Sequence, residues 1–356
     1  MVDITSPPFL ELLHIISGME RFTYYTEMVH SNAILKHEPH LERFIGKPRG
    51  NVVVQLGGSD PKNMALATKI LQDQGYAEVN INNGCPSPNV QHGSFGAVLM
   101  KTPTIMNDMF NEMHKANVTI PVTVKCRIGV DDQEDLAFLV DYVKTLISNN
   151  KKPPIHFIVH ARKCILKGLT PKQNRSIPPL NYERVYELAK IFPDLIITIN
   201  GGFTTTHDIQ NALQLVDGCM IGRKVMNDPL FLQEIEQSIY RKHKIKPTEE
   251  IINEYLNYAE NLYFLSEQQT TEYGLPPLSL LLKPLMSIYK GKKGRIFRQH
   301  LQQLLSATTK ASIGDLSSIV LQSISHTNTV MNMQQSLSRP SSVQSTSIKL
   351  ERGVTI

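Results

Sequence analysis

The sequence predicts an α/β fold in which strands alternate with helices. Seven short apolar runs rich in β-branched residues recur at 24–28, 51–58, 77–83, 121–127, 156–162, 195–200 and 218–222. The intervals between them carry helical patterns, as at 61–74 and 182–192. Strands that alternate with helices pair in parallel, and strands buried on both faces are apolar throughout. The pattern predicts a TIM (β/α)8 barrel, whose site lies at the C-terminal ends of its strands.

Helical patterns with apolar residues at i, i+3 and i+4 follow the last predicted strand, at 231–243, 250–268, 279–290 and 296–309. From about residue 326 onward, Ser, Thr, Asn and Gln dominate, which is typical of disordered segments. We therefore predict a barrel domain over 1–227, a helical domain over 228–325 and a disordered tail over 326–356.

Composition narrows the class of protein. In 356 residues with 41% hydrophobic content, no apolar run approaches the ~20 residues of a membrane span, and the first residues lack a signal-peptide pattern. The four cysteines, at 85, 126, 164 and 219, form no metal-binding or disulfide pattern. We expect a cytoplasmic protein, a monomer, with no metal site and no membrane contact. A net charge of +5 is mild, so nucleic-acid binding depends on where the charge lies.

The stretch NINNGCPSPNVQHGSFGAVLM at 80–100 places a single cysteine, Cys85, where a strand meets a loop. Gly84 and Pro86 favour a sharp turn, and Asn82 adds polar groups that a structural thiol does not need. A cysteine can be a small buried hydrophobic residue, a nucleophile or, when protonated, a general acid. The residues alone leave these three roles open.

Two glycine turns each follow an apolar strand, and they contain Asn200, Gly201 and Gly202 in the first case and Gly222 and Arg223 in the second. Either turn alone is explained by chain reversal. Together, one strand apart, they favour a phosphate site of the kind that barrels form after their last two strands. GxGxxG is absent from the sequence, so a Rossmann domain is not supported.

Lys125 lies on an apolar strand at an inward-facing position. A buried amine needs an anionic partner. That partner is either a bound anion or a carboxylate in a structural salt bridge.

The Cys85 segment resembles the active-site loop of the tRNA-dihydrouridine synthases, flavoenzymes that reduce a uridine of tRNA to dihydrouridine. Later blocks are similar to the same family, in the family's order, at 121–132, 157–186, 197–203 and 216–229. The block that contains KQNRSIPPL is most similar to the A-type branch, which acts on the D-loop of tRNA in bacteria. The resemblance covers most of residues 20–300.

The resemblance implies that NADPH reduces FMN, that the flavin passes hydride to C6 of the uracil, and that Cys85 protonates C5. It places Lys125 at the pyrimidine edge of the flavin, and Gln55 and His160 as its hydrogen-bond partners. It assigns the two glycine turns to the FMN phosphate. A satisfied core histidine is the alternative for His160.

For the substrate, the resemblance implies that Asn82 and Arg175 hold the flipped uracil and that Lys172 is a neighbouring tRNA contact. A basic cluster in the helical domain would bind the phosphate backbone, with Lys283, Arg295 and Arg298 as its main members beside Lys290, Lys292, Lys293 and His300. An ordinary charged helix surface is the alternative for this cluster, and a solvated loop charge for Arg175.

The first barrel strand is expected to be largely missing, because Met1, Asp3 and Thr5 resemble the end of the segment that follows it in the family. Either the true start lies upstream or the strand is lost. A loss would leave two strand edges unpaired, which natural barrels avoid, so we favour the first explanation.

Two other functions stay open. One is a non-catalytic tRNA- or RNA-binding barrel protein that has lost flavin binding together with strand one. The other is a barrel flavoprotein that reduces a small ene substrate. The basic helices and the KQNR block favour tRNA over a small substrate.

Overall fold

A computed structural model describes residues 1, 3–148, 150–268, 276–308 and 313–338. The chain forms two compact units, Met1–Ile288 and Tyr289–Ile356. Along the described residues, no helix is both long enough and apolar enough to cross a membrane.

A seven-stranded sheet forms the centre of the first unit. Its strands are β1 Tyr24–His30, β2 Val52–Gly57, β3 Val79–Asn83, β4 Val122–Arg127, β5 His156–His160, β6 Ile196–Asn200 and β7 Gly218–Met220. Each strand pairs in parallel with the next strand along the chain. Among the described residues, β1 pairs with β2 alone and β7 with β6 alone. The predicted strands and their parallel order are confirmed.

Helices occupy the intervals between the strands. The first unit contains α1 Pro7–Ser17, α2 Ser31–Lys36, α3 Leu41–Ile45, α4 Pro61–Asp73, α5 Pro88–His92, α6 Pro103–Lys115, α7 Leu136–Ser148, α8 Tyr182–Ile191, α9 Thr206–Ala212, α10 Arg223–Asn227, α11 Phe231–Ser238, α12 Thr248–Gln268 and α13 Leu278–Leu282. Local sequence determines where several of them begin. At α4, the Asp60 side chain accepts from the Asn63 N–H at 2.7 Å, and Pro61 occupies the first turn.

The domain boundary predicted at 227/228 does not coincide with the boundary between the compact units. Helix α1 packs against both α11 and α12, so these two helices belong to the first unit. The apolar face of α1 is buried there, with Leu12 at 0% and Ile16 at 3% exposure. Composition cannot show this, because the contact joins the beginning of the chain to residues far along it.

The second unit contains α14 Gly291–Ala307 and α15 Ile313–Ser338, which pack against each other. The tail predicted to begin at residue 326 starts inside α15, so its first part is helical. Thr327 is 0% exposed, and its hydroxyl donates to the Ser323 carbonyl oxygen at 2.6 Å, within the helix itself, so the buried hydroxyl is satisfied. A run of hydroxyl residues can thus form a packed helix despite its polar composition. Residues 339–356 of the predicted tail lie outside the described residues.

The polar and apolar side chains of β3 alternate. Val79 and Ile81 point to one face, and Asn80 and Asn82 point to the other. Asn80 is 0% exposed, so this second face holds buried polar groups. It is the face on which the candidate site lies.

Candidate functional site

Five predicted site residues share one face of the sheet. In the parallel register, Asn82 lies beside Lys125, and His160 lies beside Asn200. Arg127, two positions after Lys125, lies beside His160, which links the two pairs. Gln55 lies beside Asn80, two positions before Asn82. Register neighbours in a parallel sheet point to the same side, so these residues form one polar surface at the strands' C-terminal ends.

The Cys85 loop is attached to this surface by Asn82. The Asn82 Oδ1 atom accepts from the backbone N–H of Gly84 at 3.1 Å and from that of Cys85 at 3.0 Å. The Cys85 carbonyl oxygen accepts from the Ala97 N–H at 3.0 Å. Cys85 is half-buried. A side chain on the sheet therefore determines where the thiol stands.

Lys125 is half-buried, and its ammonium donates to Asn200 Oδ1 at 3.2 Å. The Asn200 Nδ2 atom donates in turn to the Met220 carbonyl oxygen at 2.8 Å. Burial, followed by the nearby Arg127 guanidinium, lowers the pKa of Lys125 to about 8. Among the described residues, no carboxylate forms an ion pair with Lys125. The alternative of a structural salt bridge is therefore not what the structure shows.

Four cations lie close enough to His160 to lower its pKa. Burial, and then the charges of Arg127, Lys125, Arg162 and Arg223, hold the pKa of His160 well below its usual range. None of the four forms an ion pair with a carboxylate in the described part of the chain. Arg162 Nε is also a buried donor that lacks a hydrogen-bond partner there. Cations without carboxylate partners, together with an N–H donor that has no acceptor, fit an anionic ligand.

The first glycine turn is explained by packing within the protein. Gly201 and Gly202 have φ of +125° and +80°, which favour glycine. A Cβ at Gly201 would lie 2.8 Å from His160 Cδ2, and one at Gly202 would lie 2.6 Å from Leu180 Cδ1. The simple-turn alternative is sufficient for both, and their predicted role toward a phosphate stays a prediction.

The second glycine turn is more open. Of the residues that the structure describes, a Cβ at Gly222 would meet Met1 alone, at 3.5 Å from Sδ and 4.0 Å from Cε. Arg223 is exposed and donates from its guanidinium to the Arg175 carbonyl oxygen at 3.2 Å. The turn after β7 therefore touches the loop that carries the predicted substrate residues.

Lys172 and Arg175 are exposed on a loop held in place by Asn174. Asn174 is 0% exposed, and its Oδ1 atom accepts from the Ile165 N–H at 2.8 Å. Its Nδ2 atom donates to the Ile165 carbonyl oxygen at 2.9 Å. A buried amide thus holds two cationic side chains toward solvent.

Arg127 is a site residue that sequence reasoning missed. It is 3% exposed, and its guanidinium donates to the carbonyl oxygens of Gly84 at 2.8 Å, Lys163 at 3.1 Å and Asn174 at 3.0 Å. It thereby joins the Cys85 loop, the loop after β5 and the Arg175 loop. Its position two residues after Lys125, on the same face, is a signal that could have identified it.

The predicted phosphate contacts of the helical region lie in different units. Lys283 is exposed in the first unit, where its ammonium donates to the Asp3 carbonyl oxygen at 2.6 Å. Arg295 is exposed and Arg298 half-buried on α14 of the second unit. Their role in binding tRNA stays a prediction.

The sequence matches the model of the family described as "Dihydrouridine synthase (Dus)" over residues 1–325. Three relatives carry the name tRNA-dihydrouridine(20/20a) synthase. The relative from Pasteurella multocida is 46% identical over 217 residues, which are 61% of this chain and 64% of the relative. The relative from Haemophilus ducreyi is 40% identical over 78% of this chain and 82% of its own length. The relative from Synechocystis sp. is 39% identical over 82% of this chain and 83% of its own length.

Proposed function

Because this chain belongs to the dihydrouridine synthase family, we propose that it reduces a uridine of tRNA to 5,6-dihydrouridine. The names of the relatives support position 20 or 20a of the D-loop as the target. The observation that carries the proposal is the attachment of the Cys85 loop, through Asn82, to a face that also holds Lys125 and His160.

We place the seven strands in a (β/α)8 barrel. Their sequential parallel order supports this. Met1, Asp3 and Ile4 lie near the two edge strands of this sheet. Burial raises the pKa of Glu27 on β1, and the Met1 ammonium and the backbone N–H groups of Asp3 and Ile4 oppose this rise, so these residues lie close to β1. The nearness of Met1 to Gly222 places it by β7 as well.

The polar face fits FMN, the anionic cofactor that the family resemblance implies. Lys125 would stabilise negative charge on the flavin ring, with Gln55 and His160 as hydrogen-bond partners. Gly222 and Arg223 are the more open candidates for its phosphate, with Asn200, Gly201 and Gly202 beside them. When bound and reduced by NADPH, FMN would supply the hydride for C6 of the uracil.

Cys85 supplies the proton. The C5=C6 double bond of the uracil gains a hydride at C6 and the Cys85 thiol proton at C5, which leaves a thiolate that solvent reprotonates. Asn82 and Ala97 hold the backbone on both sides of this thiol, so the proton donor is positioned before the substrate arrives.

The target base must leave its stack to reach Cys85. Asn82 uses its oxygen for the Cys85 loop and one amide N–H for Gln55 Oε1 at 2.8 Å, which leaves one N–H for a uracil carbonyl. Arg175, exposed on its loop, would hold the opposite edge, with Lys172 beside it on the nucleic-acid backbone. Lys283, Arg295 and Arg298 would add phosphate contacts.

The proposal is tested with the purified chain, NADPH and an unmodified tRNA transcript. We expect flavin bands in the visible spectrum and dihydrouridine in the tRNA. A colourless protein that binds tRNA would instead support the non-catalytic alternative. A flavoprotein that fails to bind tRNA would support reduction of a small ene substrate.

A monomeric state and a cytoplasmic location stay predictions, as does the absence of a metal. No group of three or more potential metal ligands occurs in the part of the chain that the structure describes. Size-exclusion chromatography with light scattering measures the oligomeric state, and metal analysis of the purified protein measures its metal content.

A further inference from the structure

A continuous chain of hydrogen bonds runs along the polar face, from the Cys85 loop to the other end of β3. Its bonds are Cys85 N to Asn82 Oδ1 (3.0 Å), Asn82 Nδ2 to Gln55 Oε1 (2.8 Å), Gln55 Nε2 to Asn80 Oδ1 (2.9 Å), Asn80 Nδ2 to Thr123 Oγ1 (3.0 Å) and Thr123 Oγ1 to Glu78 Oε1 (2.9 Å). Positions 78, 80 and 82 alternate along one chain segment, so their side chains share a face. Gln55 on β2 and Thr123 on β4 bridge the gaps between them.

The two ends of this chain impose one direction on it. At one end, the backbone N–H groups of Gly84 and Cys85 can only donate, so Asn82 must turn its oxygen toward them. At the other end, the Glu78 carboxylate accepts from the Thr123 hydroxyl. Every group between these ends therefore donates in the direction of Glu78.

Burial makes this direction costly to lose. Asn80 is 0%, Thr123 2% and Gln55 8% exposed, so bulk water cannot replace a broken bond along the middle of the chain. The Val79 carbonyl oxygen is a second acceptor for the Thr123 hydroxyl, but it lies 3.5 Å away, against 2.9 Å for Glu78.

We propose that Glu78 and Thr123 are positioning residues, which stabilise through Asn80 the direction of the Gln55 amide that Asn82 sets from the other end. This inference rests on the proposed function, since Gln55 and Asn82 are assigned there to the flavin and the uracil. In the observed direction, Gln55 and Asn82 each retain one amide N–H outside the chain. Both residues thus offer donors to the carbonyl groups of a flavin and a uracil.

Loss of the acceptor at Glu78 would allow the Thr123 hydroxyl to donate to Asn80 Oδ1 instead. If the amide of Asn80 turned in this way, its Nδ2 atom would face Gln55 Nε2, donor against donor. If Gln55 turned as well, the same conflict would arise between Gln55 Nε2 and Asn82 Nδ2. Asn82 cannot turn in response, because its oxygen holds the Cys85 loop. The effect of a change at Glu78 is therefore felt at Gln55 and Asn82, which it does not touch.

Two pairs of variants separate the effect of losing a hydrogen-bonding group from the effects of losing charge or side-chain volume. Glu78→Leu removes the acceptor, whereas Glu78→Gln keeps a carbonyl oxygen. Thr123→Val removes the hydroxyl, whereas Thr123→Ser keeps it. Thr68→Val is the control, because Thr68 is 0% exposed on α4 and donates to the Met64 carbonyl oxygen at 2.8 Å, outside the chain.

The first measurement is NMR of the side-chain amide groups in the ligand-free protein, which needs no activity. We expect the amide signals of Gln55 and Asn82 to shift in Glu78→Leu and Thr123→Val. They should stay in place in Glu78→Gln, Thr123→Ser and Thr68→Val. If Glu78→Leu does not fold, the Thr123 pair decides. Unchanged signals in Thr123→Val would overturn the proposal.

The second measurement is the rate at which tRNA reoxidises the reduced flavin, compared with the rate of flavin reduction by NADPH. We expect reoxidation to slow about tenfold in Glu78→Leu and Thr123→Val, and by no more than about twofold in the two conservative variants. Equal losses in Glu78→Leu and Glu78→Gln would overturn the role of the acceptor. If the wild-type protein does not act on tRNA, the proposed function is rejected. The NMR result would still test the direction of the hydrogen bonds, because it needs no activity.

Discussion

The Arg127 guanidinium donates to the Gly84 carbonyl oxygen at 2.8 Å, so a side chain on β4 holds the peptide that precedes Cys85. The same guanidinium reaches the Asn174 carbonyl oxygen at 3.0 Å, next to Arg175. The predicted proton donor and the predicted uracil-binding residue are thus held by one buried cation.

Arg127→Lys should weaken this arrangement while it keeps the charge. A single ammonium cannot satisfy three carbonyl groups in the geometry of a guanidinium fork. We expect the free energy of unfolding in urea to fall by about 2 kcal/mol, and dihydrouridine formation to fall at least about tenfold. Arg184→Lys on α8 serves as the control. Unchanged activity in Arg127→Lys would show that the Cys85 loop does not depend on this contact.

Gly96→Ala should displace the carbonyl of Cys85. Gly96 has φ of +72°, and a Cβ there would lie 2.7 Å from the Cys85 oxygen and 2.4 Å from Val90 Cγ1. The positive φ and the overlap together should lower the free energy of unfolding by about 3 kcal/mol. Gly168→Ala is a matched control, because Gly168 has φ of +90° but no described residue lies within 4 Å of the added Cβ. It should lose only about 1 kcal/mol in the same urea titration. Equal losses in the two variants would contradict the overlap at Gly96.

Binding of FMN should weaken as pH rises through about 8, the lowered pKa of Lys125. The amine is charged below this pH, and a bound anion would raise its pKa. The complex therefore binds more protons than the free protein above pH 8, and affinity falls there. The phosphate of FMN is already ionised above pH 7. Fluorescence titrations of FMN from pH 7 to pH 10 measure the effect.

Lys125→Met tests whether Lys125 is the group that causes this pH dependence. It should bind FMN more weakly at pH 7 and show a flatter profile through pH 8. An equally steep profile in Lys125→Met would mean that another group is responsible.

Cys85→Ala should keep the flavin spectrum and lose dihydrouridine formation by about 10²–10⁴-fold, the usual contribution of a general acid. Cys219→Ala is the control, since burial raises the pKa of the Cys219 thiol to about 12 and it lies on β7. Mass spectrometry of the tRNA product measures both variants. Full activity in Cys85→Ala would remove the proton donor from the mechanism.

Much of the fold could be predicted because its signals are local. The strands β1 to β7 were visible as β-branched runs, and the helix from 61 could be seen from Asp60 and Pro61 at its start. The helical character of residues 326–338 was missed, because burial of Thr327 depends on α15 packing against α14, which composition does not reveal.

The candidate site, too, could be predicted from the sequence only in part. Asn82, Lys125, His160 and Asn200 were recognised from the blocks that carry them, and Gln55 from the family resemblance. The structure brings all five to one face. Arg127 was overlooked, because its role depends on carbonyl groups of loops 36 to 47 residues away along the chain. Whether the chosen residues bind flavin and tRNA remains a prediction.

By itself, the sequence determined the order of strands and helices, the place of Cys85 after β3 and membership of a family, since each of these is encoded in neighbouring residues. Tertiary structure alone decided that α11 and α12 join the first unit and that four cations lie close enough to His160 to lower its pKa. It also decided that the amides from Asn82 to Asn80 all donate toward Glu78. The physical reason is that charge clustering, burial and hydrogen-bond direction depend on groups that only folding brings within contact distance.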